Sequence, residues 1–145
     1  HDQLQAEIVR HGLQNVVQLC GHQEDVAPWL QQLDLFLFTS HREGLSVAIL
    51  EAMATGLPIV ATAVGGIYDQ VSVGENGLVA PAGDVTALTA HCLTLIDSVE
   101  MRARFGAISR TRAVNLFSEQ AMVQNYAACY RTVSRLPAAE TLTWS

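Results

Sequence analysis

Basic residues are scarce in this chain: 8 Lys+Arg stand against 14 Asp+Glu, a formal net charge of −6. Binding a run of phosphates needs a clustered basic face, so a nucleic-acid partner is not expected. Apolar runs of membrane-spanning length are missing too. The longest candidate, near 45–60, is interrupted by Glu51, Gly56 and Pro58, whereas a span needs about 20 apolar residues. No secretory signal pattern is read in the residues given. Cysteines are few: Cys20, Cys92 and Cys129 are odd in number and far apart. That excludes a disulfide framework and a zinc-type spacing, and predicts buried thiols in a reducing compartment. No Gly-x-Gly-x-x-Gly follows a strand, which argues against a dehydrogenase-type dinucleotide domain. Repeats, linkers and low-complexity tracts are absent as well.

What remains is globular. Of 145 residues, 50% are hydrophobic and 15% charged, which suits one domain with a sizeable core. Leu4, Ile8 and Val9 recur at helical spacing within 3–11, and Gly12 marks a stop. Val16 to Cys20 reads as a short buried strand. Asp25 is a candidate cap for a helix to about Leu33, with Val26, Trp29, Leu30 and Leu33 on one face. The continuous apolar run Leu35 to Thr39 predicts a parallel strand covered on both faces. A loop at Ser40–Gly44 precedes a helix over about 46–55, ended by Gly56, with Pro58 preventing continuation. Pro58 to Thr62 reads as a strand and Gly65-Gly66 as a tight loop. Ile67 to Val71 suits one helical turn. Asn76-Gly77 suggests a turn needing positive φ, and Leu78 to Ala80 a strand. Asp84 is placed to cap a helix over 85–97, with Val85, Leu88, His91, Cys92, Leu95 and Ile96 inward. Helices over 99–115 and 119–134 follow, the last capped by Ser118, and the tail over 136–145 reads as loose. Strands alternating with helices predict an α/β, Rossmann-like, doubly wound parallel sheet.

Chemistry concentrates in Ser40-His41-Arg42-Glu43-Gly44-Leu45-Ser46-Val47-Ala48-Ile49-Leu50-Glu51-Ala52-Met53-Ala54. Open parallel sheets bind ligands beyond the carboxyl ends of their strands. Glu43 and Gly44 fall at such an end. The following helix would aim its free amides and positive dipole end into the same crevice, a place for a phosphate. Gly44 lets backbone approach closely, and Leu45, Ser46 and Val47 have amides to offer. Glu51 lies inside a largely apolar helix. A buried carboxylate is costly unless satisfied, so it needs a partner. A ribose diol suits its two oxygens, and Arg42 or Arg10 are the structural alternatives. His41 reads as a solvated loop residue and His91 as a core-edge one. Arg102, Arg104, Arg110 and Arg112 read as a solvated helix face.

The run Ser-x-x-Glu-Gly-x(6)-Glu-Ala-Met-Ala-x-Gly-x-Pro-Ile-Val-Ala-Thr resembles the donor-site signature of retaining glycosyltransferases of family 4, which have the two-domain GT-B fold. Val17-Gln18-Leu19-Cys20-Gly21, Asp25-Val26, Val64-Gly65-Gly66 and Glu75-Asn76-Gly77-Leu78-Val79-Ala80-Pro81-Ala82-Gly83-Asp84 extend the resemblance in order and spacing, over about 1–135. The resemblance implies a C-terminal donor-binding domain, lacking its first strands. Glu43, the candidate catalytic residue, would position the donor sugar through its hydroxyls. The amides of Gly44, Leu45, Ser46 and Val47 would hold the diphosphate, and Glu51 the ribose. Gly21 and His22 would lie near the nucleobase. No bound metal is implied, and no Asp-x-Asp is present.

The chain also departs from the family pattern. An upstream arginine–lysine pair that neutralises the diphosphate is missing, as is the acceptor-binding domain. Two strands expected between Val16–Cys20 and Leu35–Thr39 are missing too, which would leave a gap in the sheet. The expectation is therefore a fragment, starting at His1, that is marginally folded and inactive alone. Its parent would transfer a glycosyl group with retention, in the cytoplasm, with peripheral attachment to the inner face of a membrane compatible with the family. A nucleotide-sugar 2-epimerase-like isomerase and an inactive nucleotide-sugar binding module are the alternatives.

Overall fold

Ile59 to Thr62 is a short run rich in β-branched residues, and it becomes the buried centre of the sheet. The computed structural model describes residues 2–134. The chain runs α1 (Asp2–Arg10), α2 (Ala27–Leu30), β1 (Phe36–Phe38), α3 (Val47–Thr55), β2 (Ile59–Thr62), α4 (Ile67–Gln70), β3 (Gly77–Ala80), α5 (Val85–Ile96), α6 (Val99–Leu116) and α7 (Glu119–Ser134). The three strands form a parallel sheet in the order β1-β2-β3. Phe36 pairs with Ile59 across the first ladder, and Ile59 with Gly77 across the second. Every residue of β2 is buried.

Alternation along β2 makes two cores, because successive side chains point to opposite faces. Ile59 and Ala61 pack with Ile49, Ala52 and Met53 of α3, Leu30, Ile67, Val71 and Ala113. Val60 packs the other way, with Ala80, Leu88, Leu95 and Phe105. Helices thus cover both faces, the α/β arrangement expected from the sequence. Two glycine approaches set its tightness. A Cβ on Gly77 would sit 2.4 Å from the Ile59 carbonyl, and one on Gly106 would sit 2.2 Å from the Gly56 carbonyl. The second contact seats α6 directly on the end of α3.

Helix ends follow the sequence signals where these are local. Ser46, Asp84 and Ser98 accept from the amides of Ile49, Ala87 and Met101, and Ser118 from Ala121. Gly56 closes α3 in the left-handed region at φ 87°.

Several expectations are corrected. Val16 to Cys20 is not a strand; Val16 is 77% exposed. A strand needs a hydrogen-bonding neighbour, and among the described residues none lies beside this segment. The helix capped at Asp25 is only four residues long and its N-cap is Val26, although Asp25 Oδ1 does accept from the Ala27 amide at 3.1 Å. Pro28 sits in its first turn, and Leu33 is exposed. β1 is covered on one face only. Phe36 and Phe38 join the first core, while Leu37 is 47% exposed on the other side. Leu4 and Val9 of α1 are exposed, as are Val85 and Ile96 of α5; Leu88 and Leu95 are buried. Gly77 is not among the positive-φ glycines. The turn uses Gly74, at φ 81°, and Gly77 is required by the close approach of β2. Cys20 and Cys129 are exposed rather than buried. Cys92 is half-buried, and burial pushes its thiol above the ordinary value. The tail expected over 136–145 lies outside the described residues.

Candidate functional site

Two connections and the start of a helix meet at the carboxyl end of the sheet. The first, 39–46, leaves β1 and carries Glu43 and Gly44. Within it Ser40 Oγ donates to the Arg42 carbonyl at 2.9 Å, a local turn. Thr62, the last residue of β2, donates to the Ser40 carbonyl at 2.5 Å and ties the strand ends together. The second connection, Ala63–Gly66, leaves β2 and is pressed against the first. Gly65 takes φ +51°, and a Cβ there would sit 1.6 Å from the Glu43 carbonyl oxygen. A Cβ on Gly66 would lie 2.6 Å from the Gly44 carbonyl, which accepts from the Gly66 amide at 3.1 Å. The two glycines, read from the sequence as a tight loop, are therefore the surface on which Glu43-Gly44 rests. Glu43 itself is half-buried.

The third contribution is the start of α3. Its first-turn amides are orphans by geometry, since they have no preceding helical carbonyl. Ile49 is satisfied by Ser46 Oγ at 3.4 Å. Among the described residues the amides of Leu45, Val47 and Ala48 have no partner. Ser46 differs from the expectation: its amide donates to Gln70 Oε1 at 2.9 Å and is already used. The reason lies in α4, which places a fully buried carboxamide against that peptide. Free backbone donors therefore come from Leu45, Val47 and Ala48, and Ser46 supplies the cap.

Glu51 is exposed. The premise that it is buried, and so obliged to find a partner, does not hold. It lies one turn past the start of α3 on the open side and lines a cleft of about 410 Å³ with Glu24, Asp25, Thr55 and Arg110. Neither alternative partner engages it: Arg10 pairs with Glu7 at 2.5 Å, and no ion pair of Arg42 is found among the described residues. Gly21, at φ 66°, and His22 are exposed in the coil that leads to this cleft, and the residues that reach its wall are Glu24 to Ala27. His41 lines a separate groove with Leu37, Thr62 and Cys92, and His91 sits at the core edge, 3.2 Å from the Val79 carbonyl.

The arginines of α6 are not a free solvated face. Arg102 donates to the Leu95 and Ile96 carbonyls at 2.7 and 2.6 Å, Arg112 to the Asp69 carbonyl at 3.1 Å, and Arg110 to the Ala54 carbonyl. Arg104 stacks over the Phe105 ring at 5.2 Å. Sequence reasoning missed Gln70, Thr62 and the location of Arg110 beside Glu51. Gln70 left no distinctive signal, since Asp69 is a second polar residue between Ile67 and Val71. The arginine–lysine pair of the family pattern has no counterpart in a chain without lysine. Among the described residues, no cluster of His, Cys, Asp or Glu is arranged to hold a metal ion, and no helix is long and apolar enough to cross a membrane.

A strand-end crevice, a helix start with free amides and a glycine-seated carboxylate loop lie together at the carboxyl end of a Rossmann-like α/β sheet. The family description "Glycosyl transferases group 1" matches residues 1–98, and the chain belongs to this family. The chain is 31% identical over 123 residues to the N-acetyl-alpha-D-glucosaminyl L-malate synthase of Bacillus anthracis, covering 85% of this chain and 32% of that protein. With the lipopolysaccharide core biosynthesis mannosyltransferase LpsB of Rhizobium meliloti it shares 30% over 135 residues, covering 92% and 38%. Anabaena Alr3699/HepE, solved in complex with UDP, superposes with a TM-score of 0.84 at 29% identity, covering 93% of this chain and 36% of that one. The same protein has been solved with UDP-glucose. The chain spans about a third of the length of these relatives. The fold is that of the GT-B donor-binding domain.

Proposed function

We propose that this chain is the nucleotide-sugar-binding part of a retaining glycosyltransferase. The observation that carries the reading is the pairing, on one short helix, of free first-turn amides with the open carboxylate of Glu51, beside the seated Glu43 loop. In this reading the amides of Leu45 and Val47 take the diphosphate, with Gly44 allowing close approach. Glu51 accepts from both ribose hydroxyls, and Glu43 holds hydroxyls of the donor sugar and positions it without acting as a nucleophile. Gly21 and His22 belong to the segment that borders the base. The UDP and UDP-glucose complexes of HepE support a nucleotide-sugar donor.

Glycosyl transfer passes through an oxocarbenium-like transition state, with negative charge growing on the departing diphosphate. A helix N-terminus in place before the reaction stabilises that charge without reorganising. The acceptor is held by a second domain of a longer parent, so the chain alone binds donor without turning it over. Transfer proceeds without a bound metal. The relatives named above include a mannosyltransferase and a synthase and no isomerase, so the isomerase alternative has no observation in its favour.

Calorimetric titration of the chain with UDP, GDP and ADP tests this reading. One nucleotide should bind saturably. Glu51→Ala should weaken it on the order of 100-fold, since two charge-assisted hydrogen bonds are lost. A folded chain that binds none of the three, or a variant that binds as tightly as the parent sequence, would overturn it.

A further inference from the structure

Gln70 has a fully buried side chain with both polar atoms hydrogen-bonded, and their partner is backbone at the candidate phosphate site. Its Oε1 accepts from the Ser46 amide at 2.9 Å and its Nε2 donates to the Ser46 carbonyl at 2.8 Å. The carboxamide therefore pairs with Ser46 as a neighbouring strand would, engaging both groups of one residue. These two groups belong to successive peptide planes, one shared with Leu45 and one with Val47. A trans peptide holds its C=O and N–H antiparallel. The Ser46 carbonyl also accepts from the Leu50 amide at 3.2 Å, so Gln70 and the first turn of α3 hold it jointly, and the Val47 N–H points the other way.

The clamp is itself anchored. Asn76 Nδ2 donates to the Gln70 carbonyl at 3.3 Å and lies 3.5 Å from Ser109 Oγ. Asn76 Oδ1 accepts from the Ser72 amide at 2.7 Å, and the Asn76 carbonyl accepts from the Ile59 amide at 3.1 Å. Gln70, Asn76 and Ser109 are all at 0% exposure. A buried polar network of this kind persists only when its members are satisfied, and then it rigidifies what it touches. What it touches is the first turn of α3, reached from the central strand and from α6.

We infer that Gln70 is the positioning residue of the diphosphate cradle: it withdraws the Ser46 amide from the donor set and orients the Val47 amide toward the ligand. The inference rests on the donor-site reading above and concerns only its phosphate half. It makes Gln70 selective in effect. Loss of the clamp should weaken contacts to phosphate and leave contacts to the nucleoside alone.

The test compares each nucleoside diphosphate with its own nucleoside: UDP with uridine, GDP with guanosine, ADP with adenosine. Gln70→Leu removes both hydrogen bonds at similar volume. Affinity for the diphosphate should fall about tenfold, the usual scale for leaving a buried backbone group unpaired. Affinity for the nucleoside should hold. Equal losses for both, or no loss for either, would overturn the assignment while leaving the donor site standing. A folded parent sequence that binds no diphosphate would overturn the donor site and this assignment together. Amide hydrogen exchange on the unaltered chain provides a second readout that needs no variant to fold. The Ser46 amide should be protected without ligand. The Val47 and Ala48 amides should exchange freely and become protected only when the diphosphate binds. A Ser46 amide that exchanges as fast as that of Val47 would also overturn the assignment.

Discussion

Gly65 shows how much one missing side chain decides. Its φ of +51° is one that L side chains rarely adopt, and a Cβ would lie 1.6 Å from the Glu43 carbonyl oxygen. No rotamer relieves a clash with backbone, so the loop must move. Gly65→Ala should cost about 3 kcal/mol, combining left-handed strain with overpacking. Thermal unfolding would register it as a lowered Tm. The displaced Glu43 should also weaken binding of a nucleotide sugar more than that of the free nucleotide. Equal Tm for the two proteins would show that the loops are not held together as described. At the same scale, the Glu43–Glu51 pair was legible from residue type and spacing alone, because both positions lie in one continuous segment. Gln70 was not, since its role depends on a peptide 24 residues away. The environment of Glu51 was misread for a related reason. An apolar helix sequence does not say which of its sides the sheet covers, and Glu51 lies on the uncovered one.

Elements depend on how their ends are closed. α5 is closed at both. Asp84 accepts from the Ala87 amide at 2.9 Å, and Arg102 reaches back from α6 to the Leu95 and Ile96 carbonyls. A cation there also favours the negative end of the helix dipole. Asp84→Ala should cost about 1 kcal/mol, the common value of a lost N-cap. Arg102→Ala should cost about 1–2 kcal/mol, because it removes hydrogen bonds to the Leu95 and Ile96 carbonyls and loses the packing of its stem. Urea unfolding at constant slope would measure both. If Arg102→Ala left the midpoint unmoved, the arginine would be a solvated residue after all, as its sequence context suggested. Asp84, Ser118 and Gly56 were readable as caps because capping is a local hydrogen bond between near neighbours. Arg102 was not, because the carbonyls it serves belong to another helix.

At the scale of the molecule, the sheet has three strands among the described residues and β1 lies at one of its edges. Leu37 stands 47% exposed on that strand and lines a groove of about 530 Å³ with Val85, Leu93 and Ile96 of α5. Open edges flanked by apolar side chains favour association between copies. The chain should therefore show concentration-dependent light scattering, and Leu37→Lys should reduce it, because an edge lysine disfavours strand pairing. Scattering that is unchanged in the variant would remove the edge as its cause. The segment 16–20 teaches the same lesson at this scale. Its apolar pattern suits a strand, yet it has no partner among the described residues and stays irregular.

The sequence by itself determined what local chemistry can write. The apolar stretches that became β1, β2 and β3, the caps of α3, α5 and α7, and the Ser40–Ala54 segment with its two glutamates are set by residues close in the chain. The family followed from the order of those segments. Tertiary structure alone decided which face of each helix is covered, that Gly65 and Gly66 seat the Glu43 loop, that the Ser46 amide is spent on Gln70, and that Arg102, Arg110 and Arg112 serve other elements. Each of these is a contact between distant positions. Burial and hydrogen-bond satisfaction belong to the packed arrangement, and no single segment encodes them.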